Sequence, residues 1–183
     1  EAAVQKVRAL SGYAAHMPLT LAVKSADEAI DYVPNMSSLA QRLARRCWPG
    51  PVTLVVDDRH PDGLLRQLGA GAQAAVAPGG RLGLRVPGHQ LLQDVLRLSA
   101  GPVVIAGIPY GAGEYAVTAQ QAQQSLGENV QLVIDDGRCR FGQPSSAVRV
   151  GEKDLEILRS GVVSAQTLQR LAGTMILFVC TGN

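Results

Sequence analysis

Four aliphatic runs, Thr53 to Val56, Leu82 to Val86, Pro102 to Ala106 and Val130 to Ile134, are each only four or five residues long. Runs this short, rich in Val, Leu and Ile and bounded by Gly, Pro or polar residues, read as strands buried on both faces rather than as helices. Helix-length stretches separate most of them. Only 4% of the 183 residues are aromatic, so the core between these elements has to be assembled from Val, Leu, Ile and Ala.

Ala2 to Leu10 reads as the end of a helix and Leu19 to Val23 as a short strand. Ser25 and Asp27 can cap a helix running to about Tyr32, and Leu39, Leu43 and Ala44 share one face of a helix reaching Cys47. Asp62 to Leu68, after Pro61, reads as a short helix, and Gly69 to Gly80 as a loop or a broken strand. Gln90 to Leu98 is helical, Gly107 to Tyr115 a glycine-rich loop, and Thr118 caps a helix to about Leu126. Strands follow at Ser146 to Val150 and Leu155 to Leu158, then a helix capped by Ser164 and a last strand over Met175 to Val179. Strands and helices alternate early, whereas the strands between 130 and 159 follow one another closely. The expected class is therefore α/β, a twisted mixed sheet flanked by helices rather than a purely parallel one.

The length fits one domain with a real core, and the formal charge of +2 neither requires nor excludes a nucleic-acid partner. No run approaches the roughly 20 apolar residues that cross a bilayer, and Glu1 to Leu10 lacks a signal-peptide core. Cys47, Cys139 and Cys180 show no metal-ligand spacing, and His16, His60 and His89 lie far apart, so no metal site is expected. Two of the three cysteines could pair, but the expected setting is a reduced cytoplasmic one. The chain starts at Glu1 inside a helix and stops at Asn183 just after a strand, which reads as a segment of a longer protein.

Four stretches carry residues able to do chemistry. Lys6 and Arg8, one residue apart, form either an anion site or a solvated helix face. Trp48-Pro49-Gly50-Pro51-Val52-Thr53 is either a rigid corner around a buried Trp or a ligand-contacting turn. Arg85, inside Gly83-Leu84-Arg85-Val86-Pro87, is a cation on an otherwise apolar strand and needs an anionic partner, from the protein or from a ligand. Ser145 and Ser146 open a strand and Arg159 closes its neighbour; the two hydroxyls are either turn residues or anion ligands. No Ser-His-Asp order, His-Glu-x-x-His or Walker loop occurs, and Gly69-Ala70-Gly71 lacks the third glycine of a dinucleotide fingerprint.

Taken in order, these stretches resemble the YrdC family of threonylcarbamoyl-AMP synthases. The resemblance rests on Lys6-x-Arg8, Pro18-Leu19, Trp48 to Thr53, Gly83-x-Arg85-x-Pro87-x-His89, Pro144-Ser145-Ser146-Ala147 and Leu158-Arg159-Ser160-Gly161. It implies a YrdC-like domain over 1–173 that lacks its first strand. The implied enzyme is a nucleotidyltransferase that joins ATP, bicarbonate and L-threonine into threonylcarbamoyl-AMP, for threonylcarbamoyladenosine modification of tRNA. ATP would arrive with Mg2+ and without dedicated protein ligands. By the same resemblance Lys6 holds the threonine or carbamate carboxylate, Arg8 the nucleotide phosphates, and Arg85 clamps the threonine carboxylate. Thr53, Arg81, Ser145, Ser146 and Arg159 complete the substrate- and nucleotide-binding set. The implied partners are tRNA or double-stranded RNA and proteins of the tRNA-modification pathway.

Two departures bear on activity. Where the family carries Ser-x-Asn, this chain reads Gly107-Ile108-Pro109, and the segment from Arg8 to Pro18 is stretched. Met175 to Asn183, ending Val-Cys-Thr-Gly-Asn, resembles the opening of a low-molecular-weight protein tyrosine phosphatase. That implies a second, truncated domain over 174–183 in which Cys180 lacks its arginine partner. The competing expectation is a catalytically degraded nucleotide- or RNA-binding module in such a fusion.

Overall fold

The computed structural model describes residues 2–14, 16–58, 60–111 and 113–174. Its helices are α1 (Ala2–Ser11), α2 (Ala26–Tyr32), α3 (Ser38–Cys47), α4 (Ala70–Val76), α5 (Gln90–Leu98), α6 (Ala119–Leu126) and α7 (Ala165–Ala172). Its strands are β1 (Thr20–Ala22), β2 (Val52–Asp57), β3 (Arg81–Arg85), β4 (Val103–Ile105), β5 (Pro109–Tyr110), β6 (Glu114–Tyr115), β7 (Ser146–Val150) and β8 (Leu155–Arg159). Six strands form one sheet in the order β4-β1-β3-β2-β7-β8, and β5 and β6 form a separate hairpin. The pairs β1–β3 and β2–β7 are parallel, while β1–β4, β2–β3 and β7–β8 are antiparallel. The mixed sheet expected from the crowding of late strands is thus present.

Alternation along the strands gives the sheet two different faces. Leu21, Val23, Val52, Leu54, Val56, Leu82, Leu84, Val86, Val148 and Val150 belong to one buried cluster with Leu39 and Leu43 of α3 and Leu168 of α7. Each fully buried Leu contributes about 1.5–3 kcal/mol relative to exposure, and so these aliphatic side chains, with Tyr32 and Trp48 in the same cluster, hold the fold. The intervening residues Thr20, Thr53, Gly83 and Arg85 point the other way. The helices flanking the core start where side-chain caps satisfy orphan N–H groups. The hydroxyls of Ser25, Ser37, Thr118 and Ser164 accept from Glu28, Ala40, Gln121 and Thr167 respectively.

Several sequence expectations are corrected. Residues 70–76 form a helix rather than a loop or broken strand, because an alanine-rich run has high helix propensity and packs Ala75 and Val76 inward. The glycine-rich 107–115 segment folds back as the β5–β6 hairpin, with Gly111 and Gly113 at positive φ in the turn. The short helix expected over 62–68 is a single 3-10 turn, Leu64–Gln67. Val130 to Ile134 joins no ladder; Leu132 and Ile134 are 74% and 52% exposed and lie along a cavity wall instead. The strand expected over Met175 to Val179, like Cys180, lies outside the described residues.

Candidate active site

The second face of the sheet opens onto a cavity of about 790 Å³, within the size range of small-molecule sites. Its floor is set by the register. Leu54 pairs with Leu84, so one step on Thr53 stands opposite Arg85; Thr53 in turn pairs with Ala147, and Ala147 with Arg159. Arg85 and Arg159 therefore share one row across the sheet, about 14 Å apart at three strand spacings, close enough for two long side chains to converge.

Arg159 reaches that row through an irregularity. Val148 pairs with Ile157, yet Ala147 pairs with Arg159, so one residue of β8 is skipped at Leu158. In a regular ladder Arg159 would face the apolar core; the bulge turns it to the cavity. The turn after β8 packs tightly behind it. A Cβ at Gly161 would stand 2.3 Å from the Pro144 carbonyl oxygen, so only glycine fits.

Each arginine is held by backbone or hydroxyl oxygens. Arg85 Nε donates to the Gly50 carbonyl at 2.8 Å, and the Gly50 N–H donates to the Val86 carbonyl at 2.9 Å. The Trp48-to-Thr53 turn is thus both corner and wall. Trp48 is buried with Nε1 donating to the Val52 carbonyl at 2.7 Å, while Pro49, Gly50 and Pro51 line the cavity. The Trp48–Pro49 peptide is cis. Arg159 Nε donates to the Ser145 carbonyl at 2.9 Å, Nη2 to Ser145 Oγ at 3.1 Å, and Nη1 to the Tyr13 hydroxyl at 2.7 Å. Among the described residues neither arginine has a carboxylate partner. Burial first, then repulsion from Arg159, pulls the Arg85 pKa below the ordinary arginine value, while Tyr13 acts in the opposite direction. Two cations on a partly dry surface, with no carboxylate partner among the described residues, give the cavity a field that attracts anions.

The structure sorts the residues expected from sequence. Arg85, Ser145 and Arg159 line the cavity, joined by Tyr13, Thr20 and His89. Thr53 lies just beneath, its hydroxyl 3.3 Å from that of Thr20. Ser146 is fully buried and engaged elsewhere: its Oγ donates to the Val163 carbonyl at 2.7 Å and accepts from the Val163 N–H at 3.0 Å. Arg8 donates from Nη1 to the carbonyls of Ala14 (3.1 Å) and Met17 (2.9 Å), and from Nη2 to that of Ala75. Lys6 is exposed on α1, outside the cavity wall. Arg81 sits at the opposite end of β3 from Arg85, about 13 Å along the strand, and faces solvent. The geometry thus gathers three of the expected side chains, with Thr53 supporting them, and does not bring Lys6, Arg8, Arg81 or the Ser146 hydroxyl to them.

Tyr13 and Thr20 are cavity residues that sequence reading missed. The signal for Tyr13 was its rarity, one of four tyrosines, placed in the stretched segment between α1 and β1. Among the described residues no group of three or more His, Cys, Asp or Glu is placed to hold a metal ion. No helix among them is long and apolar enough to cross a membrane.

Comparison with known proteins agrees with this architecture. A Methanocaldococcus jannaschii protein named a putative threonylcarbamoyl-AMP synthase is 23% identical over 172 residues, covering 93% of this chain and 75% of that protein. The structure of Pyrococcus abyssi Sua5 complexed with L-threonine superposes with a TM-score of 0.75 at 22% identity, covering 94% of this chain and 48% of that one. Escherichia coli YciO gives a TM-score of 0.75 at 18% identity, covering 92% of this chain and 77% of that one. The chain spans about half the length of the Pyrococcus protein. The model of the Sua5, YciO and YrdC proteins, described as telomere recombination, matches residues 1–161, and the chain belongs to that family.

Proposed function

We propose that this domain makes L-threonylcarbamoyladenylate from ATP, bicarbonate and L-threonine, releasing pyrophosphate, for threonylcarbamoyladenosine modification of tRNA in the cytoplasm. The observation that carries the reading is the pair Arg85 and Arg159, converging on one cavity without a carboxylate partner among the described residues. Threonine carboxylate, carbamate and nucleotide phosphates are all anions, and the reaction requires them to be gathered and their developing charge stabilised. The threonine nitrogen takes up bicarbonate carbon to give a carbamate with loss of water. A carbamate oxygen then bonds to the α-phosphorus of ATP as the bond to pyrophosphate breaks. No protein nucleophile is needed.

In this reading Arg85 clamps the threonine carboxylate, beside the hydroxyls of Thr20 and Thr53. Arg159 with Ser145 faces the phosphates. The cavity volume suits a nucleotide beside a small amino acid. Mg2+ enters on the ATP phosphates, which need few protein ligands. tRNA, or double-stranded RNA, and pathway proteins remain partners of the proposal, and residues 174–183 remain the proposed start of a phosphatase-like unit. Phosphatase activity that appears on extending the chain past Asn183 tests that last assignment; its absence removes it.

One observation favours a second reading, binding without turnover. Gly107, where Ser-x-Asn is expected, lies against the Tyr115 ring, and a Cβ there would stand 2.7 Å from a ring carbon. A serine does not fit unless Tyr115 moves, and Pro109 stands where the amide is expected, so both polar groups that the resemblance expects are missing. Pyrophosphate release from ATP separates the two readings. Release that depends on both threonine and bicarbonate supports the synthase; ATP binding with no release selects the binding module.

A further inference from the structure

Tyr13 stands on the segment that joins α1 to β1; four hydrogen bonds among residues 8–17 fix the shape of that segment, and a fifth, from Arg8 Nη2 to the Ala75 carbonyl, ties it to α4. Arg8 Nη1 donates to the carbonyls of Ala14 and Met17, on the C-terminal side of Tyr13. Ser11 Oγ donates to the Arg8 carbonyl at 3.1 Å and accepts from the Tyr13 N–H at 3.4 Å. Arg8, expected from sequence to bind phosphate, here fixes the loop that carries Tyr13.

So fixed, the phenol meets Arg159 in two ways. Its oxygen accepts from Nη1 at 2.7 Å, and its ring centroid lies 5.4 Å from the guanidinium carbon. Such a ring contact adds cation–π attraction to the hydrogen bond. Of the five N–H donors of a guanidinium, three are engaged by Tyr13 and Ser145, which leaves two for an anion. Because the phenol oxygen accepts from Arg159, its own proton is free to be donated elsewhere. The side chain lines the cavity and also interacts electrostatically with Arg85, so it is near both cations.

We infer that Tyr13 is an anion-binding residue of this cavity, holding Arg159 in place and donating its O–H to the oxyanion that Arg85 and Arg159 attract. The oxyanion is a phosphate or a carboxylate, which share the acceptor chemistry that a phenol and a guanidinium recognise together. Assigning that oxyanion to ATP or threonine rests on the synthase reading above; the anion site itself does not.

The test is titration calorimetry of the full chain and its Y13F and Y13A variants with ATP, with pyrophosphate and with L-threonine, each alone, alongside thermal melts. Y13F keeps the ring and loses only the O–H. Its affinity is expected to fall about tenfold or more for the anion that Tyr13 contacts, with an unchanged melting temperature. Y13A is expected to lose more, and which ligand weakens tells phosphate from carboxylate. Y110F, whose hydroxyl donates to Gln124 away from the cavity lining, serves as control and is expected to bind like the parent. Unchanged Y13F affinity for every anion that the parent binds overturns the inference and leaves the synthase reading standing. Weakened binding in Y13F from a parent that makes no adenylate keeps the inference and removes the synthase. A parent that binds none of the three overturns both.

Discussion

Replacing Ser146 by alanine removes a hydroxyl that is fully buried and makes two hydrogen bonds to one residue, donating to the Val163 carbonyl and accepting from its N–H. Those bonds tie the start of β7 to the turn before α7, where Ser146 also pairs with Val52. Each net bond contributes about 0.5–1.5 kcal/mol, and a half-buried peptide left without a partner adds to the loss, so S146A should cost about 2–3 kcal/mol. For a chain of this length each kcal/mol corresponds to about 2–4 °C, which predicts a melting temperature roughly 4–12 °C lower. The neighbouring S145A should behave oppositely. Among the described residues the hydrogen bond of Ser145 Oγ is to the Arg159 guanidinium, so its loss should leave the melt nearly unchanged and weaken anion binding. Thermal melts and calorimetric titration of both variants give the four values needed. A stable S146A that has lost ligand binding, or an unstable S145A that binds normally, would refute the division of labour between the two serines.

Arg85→Lys keeps the charge but loses the Nε bond to the Gly50 carbonyl and the planar fork, so threonine affinity by calorimetry should fall at least about tenfold with little change in melting. Leu43→Ala, at a fully buried position of α3, should cost about 2–5 kcal/mol by chemical denaturation while leaving ligand affinity per folded molecule intact. Asp58 is buried, and burial raises its carboxyl pKa above 3.8 against the opposing pull of Arg66 and then His60. Its carboxylate stands 3.0 Å from Arg66 Nη2, yet neither oxygen has an aligned hydrogen bond among the described residues. A raised acid pKa means that the folded chain takes up this proton before the unfolded chain as pH falls. The contribution of Asp58 is therefore fully present below the unfolded value and is lost as pH rises through the folded one. Relative to D58N, the parent should gain stability as melts are taken from neutral pH down to about pH 4; a constant difference contradicts this.

Much of the fold could be read from local pattern. Ser25, Thr118 and Ser164 cap the helices they were expected to cap, and the core face of β2 and β3 follows strict alternation. What escaped depended on tertiary context. Val130 to Ile134 has the composition of a strand, but its apolar side chains run along the cavity wall instead of joining a ladder. Residues 70–76 combine glycine with alanine, and the alanine propensity together with the packing of Ala75 and Val76 decides for helix. The site was legible where a residue type conflicted with its surroundings, as Arg85 does on an apolar strand. It was illegible where partners come from far along the chain. No local signal tells that Ser146 meets Val163, that Arg8 meets Ala14 and Met17, or that a skipped residue at Leu158 turns Arg159 toward the cavity. Tyr13 and Arg159, 146 positions apart, meet only in the folded chain.

The measurement closest to the central claim is mass spectrometry of the reaction of this chain with ATP, L-threonine and isotopically labelled bicarbonate, run beside Arg85→Ala and Arg159→Ala. The two-arginine site predicts a threonylcarbamoyl adenylate that carries the label with the parent chain and is lost or strongly reduced with either variant. An adenylate formed equally well by the variants, or none from a parent chain that still binds ATP, would contradict it.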